Sequence, residues 1–313
     1  MLKYIVKRIL MAIPILLGIS IIAFFLIRLV PGDTVTALLG ANYNEEQATI
    51  LRAKYGLDKP LVLQYFIWFK NVLVGDLGNS FFTREPVVTA IADRLPVTLQ
   101  LMLMSFLYSI FIAIPLGTIA AIKRNSALDY GASFVGLLGV SVPNFWLGTL
   151  FILFFSLNLK WFPSGGFVSF FEDPVQNLRY MIMPSVALGA SVGAVVMRMT
   201  RSSMLEVLGQ DYIKMAEAKG VKDGRLIFHH ALKNGFIPVV TVLGIQLGYL
   251  LGGSVVIEKI FSLPGVGQLS LQAITNRDYA LMQGCILLVA SGFVIINLIV
   301  DIIYAFLNPR IRY

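Results

Sequence analysis

RMTRSSMLEVLGQDYIKMAEAKGVKDGRLIFHHALKN, residues 198–234, is a polar island in an apolar chain. It carries seven Lys/Arg (Arg198, Arg201, Lys214, Lys219, Lys222, Arg225, Lys233) against four acids (Glu206, Asp211, Glu217, Asp223). Apolar runs long enough to cross a bilayer lie on both sides of it, which makes the chain a multi-span membrane protein with a basic helical platform on one face. The platform reads as three short helices. Ser203 with Glu206 three residues on has the form of a capping box, and Gly209 ends that turn. Asp211 is placed to cap a second helix closed by Gly220, and Asp223 a third that stops at Asn234-Gly235.

Composition agrees. Of 313 residues 57% are apolar and 13% charged, about half the charge of a soluble domain. Mean hydropathy is +0.80. The net charge of +8 is spread over the loops between apolar runs, so it reads as an orientation signal and not as a nucleic-acid surface. The single cysteine, Cys285, lies in an apolar run and excludes an intrachain disulfide framework or a cysteine-rich metal site. Lys3, Lys7 and Arg8 followed by a long apolar run resemble a signal peptide, but no A-x-A site follows, so the run is expected to be a retained first span.

Six apolar segments approach spanning length: 9–30, 97–122, 134–157, 180–197, 236–257 and 282–307. The third is interrupted by Pro143 and Asn144, and Pro143 should kink it. A break of that kind is tolerated only inside protein or beside a wet cavity, which makes Pro143 and Asn144 candidates for a translocation path. Loops on the side of the N-terminus and of 198–235 hold 14 basic and 5 acidic residues; those on the other side hold 10 and 11. The first side is therefore expected to be cytoplasmic, with both termini inside. The domain organisation that follows is a tail and first span (1–30), an external helical loop (31–96), a membrane core (97–307) containing the cytoplasmic loop 198–235 and an external loop 258–281, and a short tail (308–313).

The external loop has its own helix signals. Asn44 and Gln47 can cap a helix that Gly56 ends, Pro60 opens a second that Gly75 stops, and Glu85-Pro86 opens a third ending at Arg94-Leu95-Pro96. Its aromatics, Tyr65, Phe66, Trp68 and Phe69, are expected to pack at the bilayer interface or on the spans. Gly189 and Gly193 in one span, and Gly244, Gly248 and Gly252 in another, allow close helix approach. In the second row, Gln246 and Ser254 are further candidates for the path; tight packing explains the same glycines. Arg28 can snorkel from the outer end of the first span, and Asp301 near the inner end of the last is expected to pair with a basic helix end. No chain of Asp, Glu or His suggests a proton relay. His229 and His230 are adjacent and diverge on a helix, so they do not chelate from one face.

No phosphate-cradling GxxxxGK[ST] is present, nor a G-x-S-x-G, HExxH or paired-cysteine signature. The chain is expected to be no enzyme, and to bind no cofactor or metal itself.

The stretch DYIKMAEAKGVKDGRLIFHHALKNGFIPVVT, Asp211 to Thr241, resembles the signature loop of permease subunits in binding-protein-dependent ABC importers. It matches the peptide/nickel branch at Asp211, Tyr212, Ile213, Ala216, Ala218, Lys219 and Gly220, then at His230 to Asn234 and Ile237 to Thr241. Glu217 stands where that branch commonly has Arg, and Met215 where it has a small residue. The resemblance runs from end to end, through Val30-Pro31-Gly32-Asp33, Gly75-Asp76-Leu77-Gly78, Trp161-Phe162-Pro163 with Gly165-Gly166, Arg277-Asp278-Tyr279 and Asn308-Pro309-Arg310. It points to the B-type permease of the branch.

The resemblance implies an all-α ABC type I importer permease in the bacterial inner membrane that takes up di- or oligopeptides, with nickel complexes or glutathione as alternatives. It implies as partners a second homologous permease, two ATPase subunits holding ATP and Mg, an external solute-binding protein and the lipid bilayer, with no nucleic acid. Asp211, Tyr212, Ala216, Glu217, Ala218, Lys219 and Gly220 would form the coupling helix that docks on an ATPase. Glu258, Pro264, Gly265 and Gly267 would gate the path or contact the binding protein; a simple packed loop fits those four equally well. The rival class is an ion-gradient-driven secondary transporter or channel, against which the lack of a buried charge relay argues.

Overall fold

A computed structural model of the chain describes residues 2–29 and 34–307. The run 30–33 and the run 308–310, both part of the resemblance, lie outside the described residues. Among the described residues the chain is helical, with one isolated antiparallel bridge between Asn79 and Pro86. Five helices are long and apolar enough to cross a membrane, and a bent pair makes a sixth. They are α1 (Leu2–Leu29), α5 (Val87–Ile122), the pair α6 (Ala127–Ser141) and α7 (Asn144–Phe151), α8 (Pro174–Leu208), α11 (Leu232–Ile260) and α13 (Tyr279–Leu307). Between α1 and α5 lie α2 (Thr34–Leu39), α3 (Glu45–Lys54) and α4 (Leu61–Leu73); α9 (Asp211–Ala218), α10 (Asp223–Arg225) and α12 (Val266–Asn276) complete the set.

The chain divides into two compact units: Leu99–Leu263 with the described parts of Met1–Ile5 and Ile295–Tyr313, and Val6–Thr98 with Pro264–Val294.

In the first unit α8 is the axis, packed against α6, α7 and α11 and buried for most of its length. Asp173 caps it, its Oδ1 accepting from the amides of Val175 and Gln176 at 3.0 Å, with Pro174 at the first position. Small residues set how close its neighbours come. A Cβ on Gly189 would stand 2.6 Å from the Ser105 carbonyl oxygen, and one on Gly117 2.6 Å from that of Met197. Ser105, Ser109, Ala113 and Gly117 thus form a small-residue row, four apart, in which Ser105 meets Gly189, Ser109 meets Gly193 and Gly117 meets Met197. An ion pair that has no local sequence signature joins α6 to α8. Arg201 donates from Nε to Asp129 Oδ1 at 2.5 Å and from its terminal nitrogen to Oδ2 at 2.8 Å, with Asp129 buried.

In the second unit most helix signals around α3 and α4 act as read, though Gln47 lies inside α3 and only Asn44 caps it. The Asn44 side chain accepts from the Glu46 amide at 2.9 Å, Pro60 precedes α4, and Gly56 and Gly75 take φ of +68° and +84°. The aromatics pack on one another, with Phe24, Tyr65 and Trp68 rings within 6.0 Å. Cys285 is buried among Val87, Ile91 and Leu269.

Several local expectations are corrected. Arg94-Leu95-Pro96 does not end a helix, because α5 runs on through it. The third span is not one kinked helix: α6 and α7 are separate and bent by 102°. Val142 is extended (ψ 122°), as a residue before proline prefers, and the Pro143 carbonyl accepts from the amides of Trp146 and Leu147.

Candidate functional site

The platform is built differently from the three capped helices expected. α8 runs unbroken past Ser203 to Gly209, so there is no capping box. The Ser203 hydroxyl instead donates to the Gly235 carbonyl at 2.7 Å, tying α8 to α11. A tertiary partner outcompetes the local one. Asp211 does not cap either: it is the first residue of α9, and its carboxylate meets Lys214 Nζ at 3.2 Å in the open. Lys222, not Asp223, precedes α10, which passes through a wider, π-type winding over Leu226–Ala231 straight into α11. Asn234-Gly235 is therefore no stop. Asn234 Nδ2 donates to the Tyr212 hydroxyl at 2.9 Å, and Gly235 lies beneath Met204. Gly209 and Gly220 end their helices as read, Gly220 at φ +80° with its amide bonded to the Glu217 carbonyl at 2.8 Å.

These contacts fix α9 by one face. Ile213 is buried in a cluster with Met204, Val207, Leu226 and Ala231, and Ala216 packs against the same cluster. Tyr212, Met215, Glu217, Ala218 and Lys219 are exposed, and nothing approaches within 4 Å of where a Gly220 Cβ would be. Ala216 thus also packs on the body of the protein. Met215, marked in the sequence only as a departure from the branch, is 58% exposed, and Phe228, 68% exposed on the winding that packs beside α9, has no part in the sequence reading. Their signal is an apolar side chain among charges.

Pro143 and Asn144 line a cavity of about 310 Å3 together with Ser191, Tyr249 and Gly253. The Ser191 hydroxyl is buried there without a hydrogen-bond partner. Gln246 and Ser254 do not line it, and the Ser254 hydroxyl turns back to the Leu251 carbonyl at 3.2 Å. Of the glycine row in α11, Gly244 is pressed against Val300 and Gly252 faces open space.

Glu258 in the first unit and Gly265 and Gly267 in the second are buried. The Glu258 carbonyl accepts from the Leu263 amide at 2.8 Å. Gly265 precedes α12, whose Val266 amide donates to Thr98 Oγ1 at 2.9 Å. Among the described residues no group of three or more His, Cys, Asp and Glu could hold a metal ion.

Two family models together match 1–102 and 113–313, described as the N-terminal part of the membrane component and the inner membrane component of binding-protein-dependent transport systems. The chain belongs to this family of binding-protein-dependent transport permeases. It is 45% identical over 309 residues, 99% of this chain and 98% of the relative, to a Brucella abortus protein described as a peptide transport system permease. It is 40% identical, over the full length of both, to an oligopeptide transport system permease protein of Bacillus subtilis and to a glutathione transport system permease protein of Escherichia coli. Its fold is shared with a chain of the MetNI methionine ABC transporter: TM-score 0.57 and 19% identity, covering 71% of the permease and 97% of that chain. The permease is thus a multi-pass inner membrane protein.

Proposed function

We propose that the chain is the translocating subunit of an ABC importer for short peptides, driven by separate ATPase subunits that dock on α9. The observation that carries this is identity of about 40% along the whole length with permeases whose names all specify peptides: oligopeptide, dipeptide and glutathione. Because those names diverge at equal identity, a short peptide is the proposed class, ahead of a nickel complex.

The docking role is supported by the exposed residues of α9. A helix anchored by Ile213 and ended by Gly220 offers a partner Tyr212, Met215, Glu217, Ala218 and Lys219 with Phe228 alongside. An apolar centre within a charged rim is how short helices seat in grooves. Its covalent continuity with α8 on one side and its packing against the helical winding that leads into α11 on the other let a push on α9 reach two spans. That is a rigid-body route to alternating access, and the α6–α7 break is the proposed path element. The second permease, the external binding protein and a cytoplasmic position for α9 complete the assembly.

The test is stimulation of ATP hydrolysis. In a reconstituted complex, binding protein loaded with a di- or tripeptide should raise the ATPase rate, and nickel-loaded binding protein should not. A rate raised only by the nickel-loaded form would refute the peptide assignment.

A further inference from the structure

In the first unit Tyr249 stands about two turns before Ile257, where the apolar run of α11 ends, and so about 12 Å inside that end. Tyrosines of membrane proteins gather at the interface, where the hydroxyl meets water. Tyr249 is 54% exposed at bilayer depth, and its hydroxyl has no hydrogen-bond partner among the described residues. A phenol left bare against lipid chains is costly, so this face of α11 meets something polar. Gly253, one turn on, leaves room for the ring: a Cβ there would stand 3.6 Å from Tyr249 Cε1. The cavity of about 310 Å3 joins Tyr249 to Asn144 at the α6–α7 break. Unlike the Ser191 hydroxyl, the Asn144 carboxamide is accessible, and it too makes no hydrogen bond among the described residues. Ser141 and Pro143 at the break are exposed. A broken backbone at that depth lines water unless other protein covers it. Val142, Phe145, Val256 and Ile257 supply apolar walls, and among the described residues no Asp, Glu, His, Lys or Arg lines the cavity. The lining thus offers neutral donors and acceptors and no counter-charge for an ion or a peptide terminus.

We propose that Asn144 and Tyr249 hold the peptide group of the passing substrate, Asn144 Oδ1 accepting from its N–H and the Tyr249 hydroxyl donating to its C=O. The assignment rests on the short-peptide reading of the cargo and follows from the chemistry of the pair. A carboxamide oxygen is a neutral acceptor and a phenol a neutral donor, and a peptide group presents one donor and one acceptor. Every peptide carries that group, whereas side chains differ. The contact therefore selects peptides as a class and leaves their side chains to the apolar walls.

The test uses the assembled complex in proteoliposomes, with dialanine and its ester analogue, in which oxygen replaces the peptide N–H. Each is supplied on saturated binding protein, whose own preference is common to every permease variant and cancels between them. Relative to wild type, Asn144→Leu should lower the dialanine-to-ester ratio of uptake rates about fivefold, the scale of one neutral hydrogen bond. Asn144→Gln should recover part of the ratio. Tyr249→Phe should slow both compounds about fivefold and leave the ratio, since both keep the carbonyl. In a Cys285→Ala background, Tyr249→Cys should react with a small charged thiol reagent in water, and loaded binding protein with ATP should slow that reaction. An unreactive thiol overturns the proposal. So does an Asn144→Leu ratio equal to that of wild type, or Tyr249→Phe uptake as fast, in complexes whose wild type still imports dialanine; the peptide reading then stands without this contact. Loss of the second permease from purified variant complexes overturns it too, by placing the cavity in the contact between permeases. A wild-type complex that imports neither compound defeats the peptide reading and the assignment with it.

Discussion

Gly189 and Gly252 are both helical glycines in apolar spans, and the structure assigns them opposite tolerance. A Cβ at Gly189 would fall 2.6 Å from a backbone oxygen, so Gly189→Ala must push α5 and α8 apart. Overpacking of that kind costs about 1–3 kcal/mol. Gly252→Ala meets nothing within 4 Å and removes a flexible residue from a helix, a gain of roughly 0.5–1 kcal/mol. Thermal denaturation in detergent should separate the two variants by several degrees, with Gly189→Ala the lower. Residue-scale readings from sequence were the least secure. Ser203, Asp211 and Asp223 each had the spacing of a cap, but Ser203 found the Gly235 carbonyl 32 residues away and the other two stand one place inside their helices. The row Ser105, Ser109, Ala113 and Gly117 went unread because serine registers as polar and not as small. Asp129 and Arg201 are 72 residues apart, beyond any local pattern.

Elements were legible where punctuation was strong and illegible where neighbours override it. Asn44, Pro60, Gly56, Gly75 and Gly220 act as written, because a cap or a left-handed turn is decided within a few residues. Pro96 does not end α5, and Gly235 does not end α11, because packing on both sides holds each helix through its weak point. For α9 the anchoring residue is Ile213. Ile213→Ala should cost about 2–5 kcal/mol of local stability, seen as faster amide exchange over Asp211–Ala218 with exchange in α8 unchanged. Gly220→Val forces a branched side chain to φ +80°, a strain of roughly 1–3 kcal/mol, and should abolish co-purification of the ATPase subunits while the spans stay folded. At the α6–α7 break, Pro143→Ala lifts the restriction on Val142. The interhelix angle should open from 102°, and spin labels on the two helices should move apart.

At the scale of the whole molecule, length and hydropathy sufficed for the class, since a bilayer imposes one length on every span. Five of the six apolar segments coincide with long helices; the sixth is the bent pair that Pro143 announces. Which loop faces inward rests on the basic residues. In a Cys285→Ala background, a cysteine at Lys222 should react with an impermeant thiol reagent only from the cytoplasmic side, and one at Lys59 only from outside. The reverse pattern would invert the topology. The central claim is that force from ATP reaches the spans through α9, and ATP-dependent peptide uptake by the assembled complex in proteoliposomes tests it most directly. Uptake should require internal ATP, stop with vanadate, survive ionophores and vanish with Gly220→Val. Uptake that ignores vanadate and collapses with an ionophore would contradict it, and would place the driving force in an ion gradient.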